Sequence, residues 1–345
     1  MPKRKKTLIL RIVLFVGTIV SLFFVPWPIV NAWLAPLPQT VQEQVNKAAN
    51  YGFDGIIVYV DENGQKPEFY TAGYKNRENK IPADPQSLFK IASVSKLYTA
   101  VAVAKLAHDQ KLSLDKTLAD YFPQLLGRIE NADKITVRMM VQHRSGIPNF
   151  TDTKNYWVNP KQTGQEQLNL ILDLPANFKP DTDYEYSNTN YLLLSQLIEK
   201  VTGESKFQYI KKEILDPLNL KNTYGSIQDV NLDNVMSGYY VGYEEDLKTH
   251  DPGVMLATAE DLGKFVRALN DGSVFKDQKE QEIYSSIYEF EHTGLIPGYQ
   301  TIAKYHENID TVVIQFTNTV DFEGYNWNLS EIMYSRIVKI IRKKH

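Results

Sequence analysis

Two short runs of strand-forming residues separated by a turn predict a β-hairpin in the first quarter of the chain. The runs Gly55–Val60 and Glu68–Tyr74 are rich in β-branched and aromatic residues, and the turn Asp61–Gly64 joins them. Before the hairpin, Leu37–Asn50 carries apolar residues at the spacing of an amphipathic helix. The folded body is therefore expected to begin with a helix followed by two paired strands.

A series of helices is predicted for the middle of the chain, where proline and glycine separate the apolar segments. Ile91–His108 is long and almost wholly apolar, which predicts a buried helix. A loop, Asp251–Leu256, is expected before the last helix of the series. The other predicted helices are Val137–His143, Gln165–Leu172, Ser187–Thr202, Lys206–Leu215 and Ala259–Asn270.

Strands return near the C-terminus. Tyr299–His306 and Asp310–Asn318 have the composition of strands, and a closing helix is predicted from about Asn328 to Ile341. Strands thus come from both ends of the chain and helices from its middle. The predicted fold class is α+β: an antiparallel sheet flanked by helices, with an all-helical lobe inserted between its strands.

The first 32 residues have a pattern of their own. Four basic residues at positions 3–6 precede the apolar run Leu8–Val25, whose only charge is Arg11. Basic residues before an apolar run of this length predict a membrane anchor with the following chain exported. A Val-x-Ala sequence ending at Ala32 also suits signal-peptidase cleavage. We therefore expect an anchor or cleaved signal, followed by an extracytoplasmic domain over residues 33–345.

Composition limits the partners and the chemistry. The 345 residues include no cysteine, which excludes disulfides, thiolate metal sites and a cysteine nucleophile. Beyond residue 32 the chain has 33 basic and 41 acidic residues, a formal charge of −8. An acidic body disfavours nucleic acid as a partner. The scattered histidines predict no metal site, and no cofactor is expected.

The first candidate for chemistry is the pair Ser93 and Lys96. Residues three apart share one face of a helix, so the amine can reach the hydroxyl. Apolar surroundings would lower the pKa of Lys96 and let its amine accept the serine proton near neutral pH. The spacing alone is common, since it recurs at Ser87, Ser113 and Ser273. A lysine that snorkels from a helix start is the structural alternative.

Two further short patterns carry polar groups suited to a cleft. Tyr186-Ser187-Asn188 places a phenol and an amide two residues apart, where the phenol could relay a proton and the amide could hold a carbonyl. Its structural alternative is a cap for the helix that follows. His292-Thr293-Gly294 lies just before the C-terminal strands, and its glycine would let a substrate backbone approach closely.

Together and in this order, the three patterns resemble the motifs of the serine β-lactamase and penicillin-binding-protein superfamily. The tyrosine form resembles its class C β-lactamase, D-alanyl-D-alanine carboxypeptidase and esterase branch. Three longer segments are similar to blocks typical of that branch: Gln142–Pro148, Tyr186–Gly203 and Gly253–Phe265. The resemblance covers roughly Gly55–Asn318 and implies a β-lactamase/transpeptidase-like fold.

The resemblance implies a catalytic role for four side chains. Ser93 would attack an acyl carbonyl and form an acyl-enzyme. Lys96 and Tyr186 would share the acid and base work. Asn188 would orient the substrate amide.

The third motif is implied to bind substrate. His292, Thr293 and Gly294 would contact the polar or anionic end of the substrate. The backbone N–H groups of Ser93 and Leu295 would form the oxyanion hole. These assignments come from the resemblance and not from the spacing of the residues.

Two residues depart from the pattern of the branch. Leu295 replaces a smaller residue, and Glu291 stands where many relatives have glycine. Bulk and negative charge at the edge of the cleft would disfavour β-lactam binding. His143 is interpreted as structural, shaping the loop that ends at Pro148.

The implied function is an extracytoplasmic serine acyl hydrolase that acts on D-alanyl amides or esters of the cell envelope. Peptidoglycan stem peptides, D-alanylated teichoic acids and small acyl esters all remain open as substrates, as does the choice between hydrolysis and transfer. Two alternatives also stay open: a catalytically inactive surface sensor or binding protein, and a β-lactamase. A Ser-His-Asp triad is disfavoured, because the sequence has no Gly-x-Ser-x-Gly motif.

Overall fold

A computed structural model describes residues 3–63, 65–157 and 163–344, with side chains from residue 7 onward. The α-helices of this part are α1 (Lys3–Leu22), α2 (Trp27–Leu34), α3 (Val41–Val45), α4 (Ser95–His108), α5 (Leu118–Tyr121), α6 (Val137–Val141), α7 (Gly164–Asn169), α8 (Asn188–Thr202), α9 (Lys206–Ile210), α10 (Ala259–Asp271), α11 (Gln278–Ser285) and α12 (Asn326–Arg342). Its strands are β1 (Gly55–Glu62), β2 (Glu68–Asn76), β3 (Ile81–Pro82), β4 (Phe89–Lys90), β5 (Thr223–Tyr224), β6 (Tyr239–Tyr240), β7 (Leu256–Ala257), β8 (His292–Ile296), β9 (Tyr299–His306), β10 (Thr311–Thr317) and β11 (Thr319–Val320).

The main sheet joins the two ends of the chain. Its strand order is β3-β2-β1-β10-β9-β8, and each neighbouring pair is antiparallel. Strand β1 lies between β2 of the predicted hairpin and β10 of the C-terminal hairpin, with Ile56 opposite both Ala72 and Thr317. The predicted α+β fold, with an antiparallel sheet built from both ends, is confirmed.

Both faces of the sheet are covered, and β1 shows how. Ile57 and Tyr59 face the larger core, which the helical lobe and α10 complete. Ile56, Val58 and Val60 face a second core closed by α3 and α12. Successive side chains of a strand point to opposite faces. A strand buried on both sides therefore has a continuous apolar run, as this one does.

The helical lobe is organised around α4. Every residue from Lys96 to Leu106 is buried, and α8, α9 and α11 pack against the helix. The predicted buried helix is therefore present, but it begins at Ser95 and not at Ile91. The chain over Ala92–Val94 forms a 3₁₀ turn, because Ala92 adopts a left-handed backbone with φ +49°.

Other boundaries differ where local backbone geometry overrides apolar spacing. The predicted helix Leu37–Asn50 is divided into α3 and a 3₁₀ turn over Ala48–Tyr51, which ends at Gly52 with φ +80°. The helix predicted over Lys206–Leu215 changes to a π-helical turn after Ile210. The predicted loop Asp251–Leu256 ends in a strand, since Leu256 pairs with both β4 and β5. Part of the predicted turn lies outside the described residues, at Gly64.

The N-terminal segment is bent. Helix α1 ends at Leu22, and α2 follows at an angle of 80°. Among the described residues, no single helix has the length and apolarity needed to span a membrane, whereas Thr7–Leu22 and Trp27–Leu34 meet that test as a pair. The prediction of one uninterrupted span over Leu8–Val25 is therefore not supported. The division of the chain after residue 32 stays a prediction.

The packing of α10 on β1 yields a stability prediction. A Cβ added to Gly263 would lie 2.2 Å from Cε1 of Tyr59, and both residues are buried. We expect Gly263→Ala to lower the free energy of unfolding by about 1–3 kcal/mol through overpacking, despite the better helix propensity of alanine. Urea denaturation would measure this change. Lys264→Ala, on the exposed side of the same helix, should stay within about 0.5 kcal/mol, and equal losses in both variants would contradict the packing argument.

Candidate active site

Ser93 lies in a backbone turn that the surrounding core holds in an unusual conformation. The preceding Ala92 has φ +49°, a region that non-glycine residues rarely occupy, and it is 1% exposed. Strained backbone of this kind persists only where packing enforces it, and it occurs preferentially at functional sites. The turn presents the serine side chain at the wall of a cleft.

Strand β8 passes directly over this turn. A Cβ on Gly294 would lie 2.5 Å from the carbonyl oxygen of Ile91 and 3.2 Å from the backbone nitrogen of Ser93. Only glycine permits so close an approach. The close approach brings the backbone of Leu295, the next residue, near the amide of Ser93. This arrangement is compatible with an oxyanion hole formed by the two N–H groups, which stays a prediction.

Lys96 connects the first two predicted motifs. Its Nζ forms a hydrogen bond of 3.2 Å with Ser93 Oγ and donates another of 2.8 Å to Asn188 Oδ1. It also lies 4.9 Å from the ring centroid of Tyr186 and 5.4 Å from that of Tyr191. The structure therefore brings Ser93, Lys96, Tyr186 and Asn188 together, as their predicted roles require.

Burial sets the protonation state of Lys96. The residue is 6% exposed, and desolvation alone acts on its pKa, with no contribution from a carboxylate among the described residues. Desolvation disfavours the ammonium and lowers the pKa of Lys96 to about 7. The amine is therefore free in a large fraction of molecules at neutral pH, and it can accept a proton from the serine to which it is bonded.

Asn188 is held in one orientation by residues that the sequence analysis did not single out. Its Nδ2 donates to Thr151 Oγ1 at 3.1 Å and to Asn149 Oδ1 at 3.3 Å, and its backbone N–H donates to the same Asn149 oxygen at 3.0 Å. These bonds direct Oδ1 towards Lys96. The one available signal was position, because Asn149 directly follows the recognised block Gln142–Pro148.

The phenol of Tyr186 is buried against His143. Burial raises the pKa of Tyr186 to about 12, and the nearby Ser93 hydroxyl offsets part of this rise. The phenol oxygen lies near Ser93 but has hydrogen-bond geometry with no residue in the described part of the chain. Its ring stacks on that of His143 at 4.4 Å between centroids. The protonated phenol is thus positioned next to the serine as a proton donor.

His143 has a structural position, in agreement with its interpretation from sequence. Its backbone is left-handed, with φ +57°, and its Nδ1 accepts the backbone N–H of Ser187 at 3.1 Å. Burial, with Lys96 and His292 nearby, lowers the pKa of His143 to about 3. A neutral ring that anchors the residue after Tyr186 fixes the second motif and carries no charge into the cleft.

The third motif forms one wall of the cleft through His292 and Thr293. His292 Nε2 lies 2.9 Å from the hydroxyl of Tyr288. Burial and the nearby Lys96 lower the pKa of His292 to about 4. The imidazole is therefore neutral at neutral pH. Its second ring nitrogen, Nδ1, contacts the carbonyl oxygen of Thr293, so both nitrogens are engaged by protein groups and the ring offers a substrate no ionic contact.

The two departures from the family pattern have different consequences. Leu295 lines the cleft, so its bulk is present where substrate would bind. The charge of Glu291 is instead paired with Lys304 on the neighbouring strand, at 2.7 Å. Glu291 is not among the residues that line the cleft, so of the two departures Leu295 is the one that contributes to its wall.

These residues surround one cleft of about 410 Å³. It runs from Ser93 between α4 and α8, with β8 on one side and the chain around Tyr156 and Trp157 on another. A nucleophilic serine hydrogen-bonded to a buried lysine of lowered pKa, at the mouth of such a cleft, defines a serine hydrolase site.

The chain belongs to the β-lactamase family. The family model described as Beta-lactamase matches residues 37–288, well over half of the chain. This match confirms the resemblance drawn from the three motifs and identifies a serine hydrolase of the penicillin-binding and β-lactamase fold.

Curated relatives are 25–29% identical to this chain over the aligned residues. Protein flp of Staphylococcus aureus strain N315 is 25% identical over 304 residues, which cover 81% of this chain and 59% of flp. In strain MW2, flp is 29% identical over 170 residues, which cover 49% of this chain and 34% of flp. The chain thus spans at most about three fifths of flp. The putative penicillin-binding protein PbpX of Bacillus subtilis strain 168 is 26% identical over 311 residues, covering 79% and 73% of the two chains.

Solved structures have the same fold. The D-amino acid amidase of Ochrobactrum anthropi SV3, complexed with L-phenylalanine amide, superposes with a TM-score of 0.77 at 23% identity and covers 92% of this chain and 99% of its own. A penicillin-binding protein of Bacillus halodurans gives a TM-score of 0.71 at 20% identity and covers 85% and 97% of the two chains. At these identities the likeness establishes the fold alone.

The lowered pKa of Lys96 predicts the pH dependence of acylation. Below about pH 7 the fraction of free amine falls tenfold per pH unit, so the rate of Ser93 labelling by a fluorophosphonate should rise with pH and level off above about pH 7. Intact-mass spectrometry at each pH measures the rate, with Ser93→Ala as the control. A rate that keeps rising to pH 10 would show that Lys96 keeps an ordinary pKa.

The bonds around Asn188 predict a supporting role for Asn149. Asn149→Ala removes the oxygen that accepts both N–H groups of Asn188, and we expect the rate of Ser93 labelling to fall about tenfold. Asn169→Ala makes the same change at an exposed position outside the cleft and should leave the rate unchanged. Equal rates in all three proteins would show that Asn149 does not position the site.

Proposed function

We propose that this protein is an acyl hydrolase or transferase that forms an acyl-enzyme on Ser93 and acts on D-alanyl amides or esters of the cell envelope. The observation that carries the catalytic part is the 3.2 Å hydrogen bond between Ser93 Oγ and the buried amine of Lys96. A serine is a poor nucleophile until a base removes its proton, and this amine has a pKa suited to that task.

In the first step, the amine of Lys96 takes the proton of Ser93 while Oγ bonds to the substrate carbonyl carbon. Negative charge then develops on the carbonyl oxygen. Backbone N–H groups of Ser93 and Leu295 are the proposed donors to this oxygen. Asn188, held by Asn149, keeps the Lys96 side chain next to the serine.

In the second step, the bond from the carbonyl carbon to the leaving group breaks. The leaving nitrogen or oxygen takes a proton from the phenol of Tyr186, and the ammonium of Lys96 returns its proton to the phenolate. Because the pKa of Tyr186 is about 12, the phenol is protonated before the reaction and can act as this acid. Water or another acceptor then bonds to the carbonyl carbon, the bond from that carbon to Ser93 Oγ breaks, and the acceptor's proton returns to Oγ.

Three considerations support a D-alanyl substrate. One fold neighbour is described as a D-amino acid amidase and another as a penicillin-binding protein, and one sequence relative is described as a putative penicillin-binding protein. The cleft has a neutral polar wall at His292 and Thr293, which suits a peptide or ester backbone. Basic residues ahead of an apolar N-terminal run favour export, and we propose that the N-terminal segment directs or attaches the protein to the cell membrane.

The two alternatives are less well supported. A catalytically inactive sensor would not need the complete set of bonds that joins Ser93, Lys96 and Asn188. Efficient β-lactam turnover is disfavoured by Leu295, which occupies the edge of the cleft. We therefore keep both as outcomes of the experiment and not as second proposals.

The test combines covalent labelling with product release. The protein and its Ser93→Ala variant would be incubated with a fluorophosphonate, and separately with a penicillin, before intact-mass measurement. We expect a fluorophosphonate adduct that the variant lacks, and release of D-alanine from a D-alanyl-D-alanine peptide or from D-alanylated teichoic acid. Lys96→Ala should lose most of the rate, about a hundredfold or more.

Each part of the proposal can fail separately. Adduct formation without D-alanine release from either polymer, but with cleavage of simple esters, would contradict the substrate class. No adduct with either reagent would favour the sensor. Rapid loss of the penicillin adduct, with accumulation of opened penicillin, would indicate a β-lactamase.

A further inference from the structure

The cleft continues past the predicted catalytic residues into the helical lobe. Asn188, Leu192 and Ser195 lie on one face of α8 and all line it, and Thr99 of α4 lines the opposite side. Ser195 is seven residues from Asn188, a rise of about 10 Å along the helix. The cleft is therefore deep enough to hold a substrate portion well beyond the scissile carbonyl.

Lys206 lies at this inner part of the cleft. It is the first residue of α9, which packs against both α4 and α8. Ser205 and Gln208 close a capping box at the start of that helix, and Tyr209 and Ile210 are buried beneath it. The backbone carrying Lys206 is therefore fixed, and its half-buried side chain lines the same cleft as Ser93.

Among the residues that the structure describes, none accepts a hydrogen bond from the ammonium of Lys206, unlike the ammonium groups of the fully buried lysines. Lys90 Nζ donates to two backbone carbonyls, and Lys105 Nζ lies 2.7 Å from Glu280. Lys206 makes no hydrogen bond and no ion pair within 4 Å with any described residue, and Glu199 acts on it only from a greater distance. A partly buried cation without an acceptor is costly, and a bound anion would remove that cost.

The charges around the cleft favour an anion. No aspartate or glutamate is among the described residues that line it, and His292 is neutral at neutral pH. Burial and the nearby Lys96 lower the pKa of Lys206 to about 8, so the side chain is mostly protonated at pH 7. Lys206 is thus the main fixed charge of a cleft that belongs to an acidic protein.

We propose that Lys206 binds an anionic group of the substrate, a carboxylate or a phosphate, at a point removed from the carbonyl that Ser93 attacks. This inference rests on the proposed function, because it requires Ser93 to be acylated by a substrate in the cleft. It adds a substrate class: acyl donors with a remote negative charge. The carboxylate of a peptide and the phosphate of a polyol-phosphate polymer are the two sources of that charge.

The experiment compares p-nitrophenyl esters whose acyl chain ends in a carboxylate with esters of equal length that end in a carboxamide. Across chains from adipate to sebacate, we expect the native protein to favour at least one carboxylate ester by about tenfold or more in kcat/KM. Lys206→Met should abolish the preference and leave the neutral ester within about twofold. A series of esters that end in a phosphonate identifies which anion is favoured. A comparison of 3-acyloxybenzoates with 3-acyloxybenzamides tests a negative charge on the leaving group instead of on the acyl chain.

Two further variants serve as controls. Lys212→Met removes a charge from the π-helical turn after α9, where the side chain is 64% exposed, and it should keep the preference. Lys206→Arg keeps the charge and should retain part of the preference. Melting temperatures of all variants verify that the fold is intact.

The possible outcomes separate this inference from the proposed function. Hydrolysis that depends on Ser93 but shows no preference in any series would overturn the anionic subsite and leave the acyl-enzyme chemistry standing. A preference that survives Lys206→Met would overturn it as well. The anionic subsite would also be overturned if Lys206→Met shifted the pH profile for the neutral ester and left the preference for the carboxylate ester unchanged. Lys206 would then act only on the pKa of Lys96. No hydrolysis dependent on Ser93 would overturn both proposals.

Discussion

Desolvation of the Lys96 amine is the constraint on which the site depends. An ammonium group in the interior is costly unless it is paired, and no carboxylate among the described residues acts on Lys96. Lys96 therefore has a pKa near neutrality, and its hydrogen-bond partners are a serine hydroxyl and an amide oxygen. A carboxylate paired with Lys96 would stabilise its ammonium form and raise its pKa. The amine would then no longer be available as a base at neutral pH. The apolar character of α4 is thus a chemical requirement as well as a packing one.

The fold provides this environment by joining distant parts of the chain. Strands from both ends form the sheet, and its edge strand β8 lies over the turn that contains Ser93. Helix α4 is enclosed by α8, α9 and α11, so its first turn faces the cleft while the rest is buried. The left-handed Ala92 and the glycine at position 294 are the two points where the backbone adapts to this close packing.

Sequence reasoning found Ser93 with Lys96 and Tyr186 with Asn188 because each pair lies within one turn of chain. The spacing alone did not identify them, since Ser-x-x-Lys recurs at three other serines. Their order along the chain, together with the third motif, produced the family resemblance that assigned their roles. Asn149 and Lys206 were not identified from the sequence. Tertiary packing brings them to the cleft, and their neighbours in sequence give no pattern that indicates it. The sheet order followed from the placement of strands at both ends. The φ angle of Ala92 could not be predicted, since alanine gives no signal for a left-handed backbone.

Net charge and local charge have opposite signs in this protein, and the local arrangement decides what the cleft can bind. The chain beyond residue 32 has 33 basic and 41 acidic residues, which predicts weak repulsion of anions at long range. Salt screens such surface charges beyond about 8 Å at physiological ionic strength. Within the cleft, low solvent access preserves the field of Lys206, Lys96 is positively charged in only part of the molecules at neutral pH, and His292 is neutral. An anionic substrate would thus be selected after it enters, by contact, and not by attraction from solution.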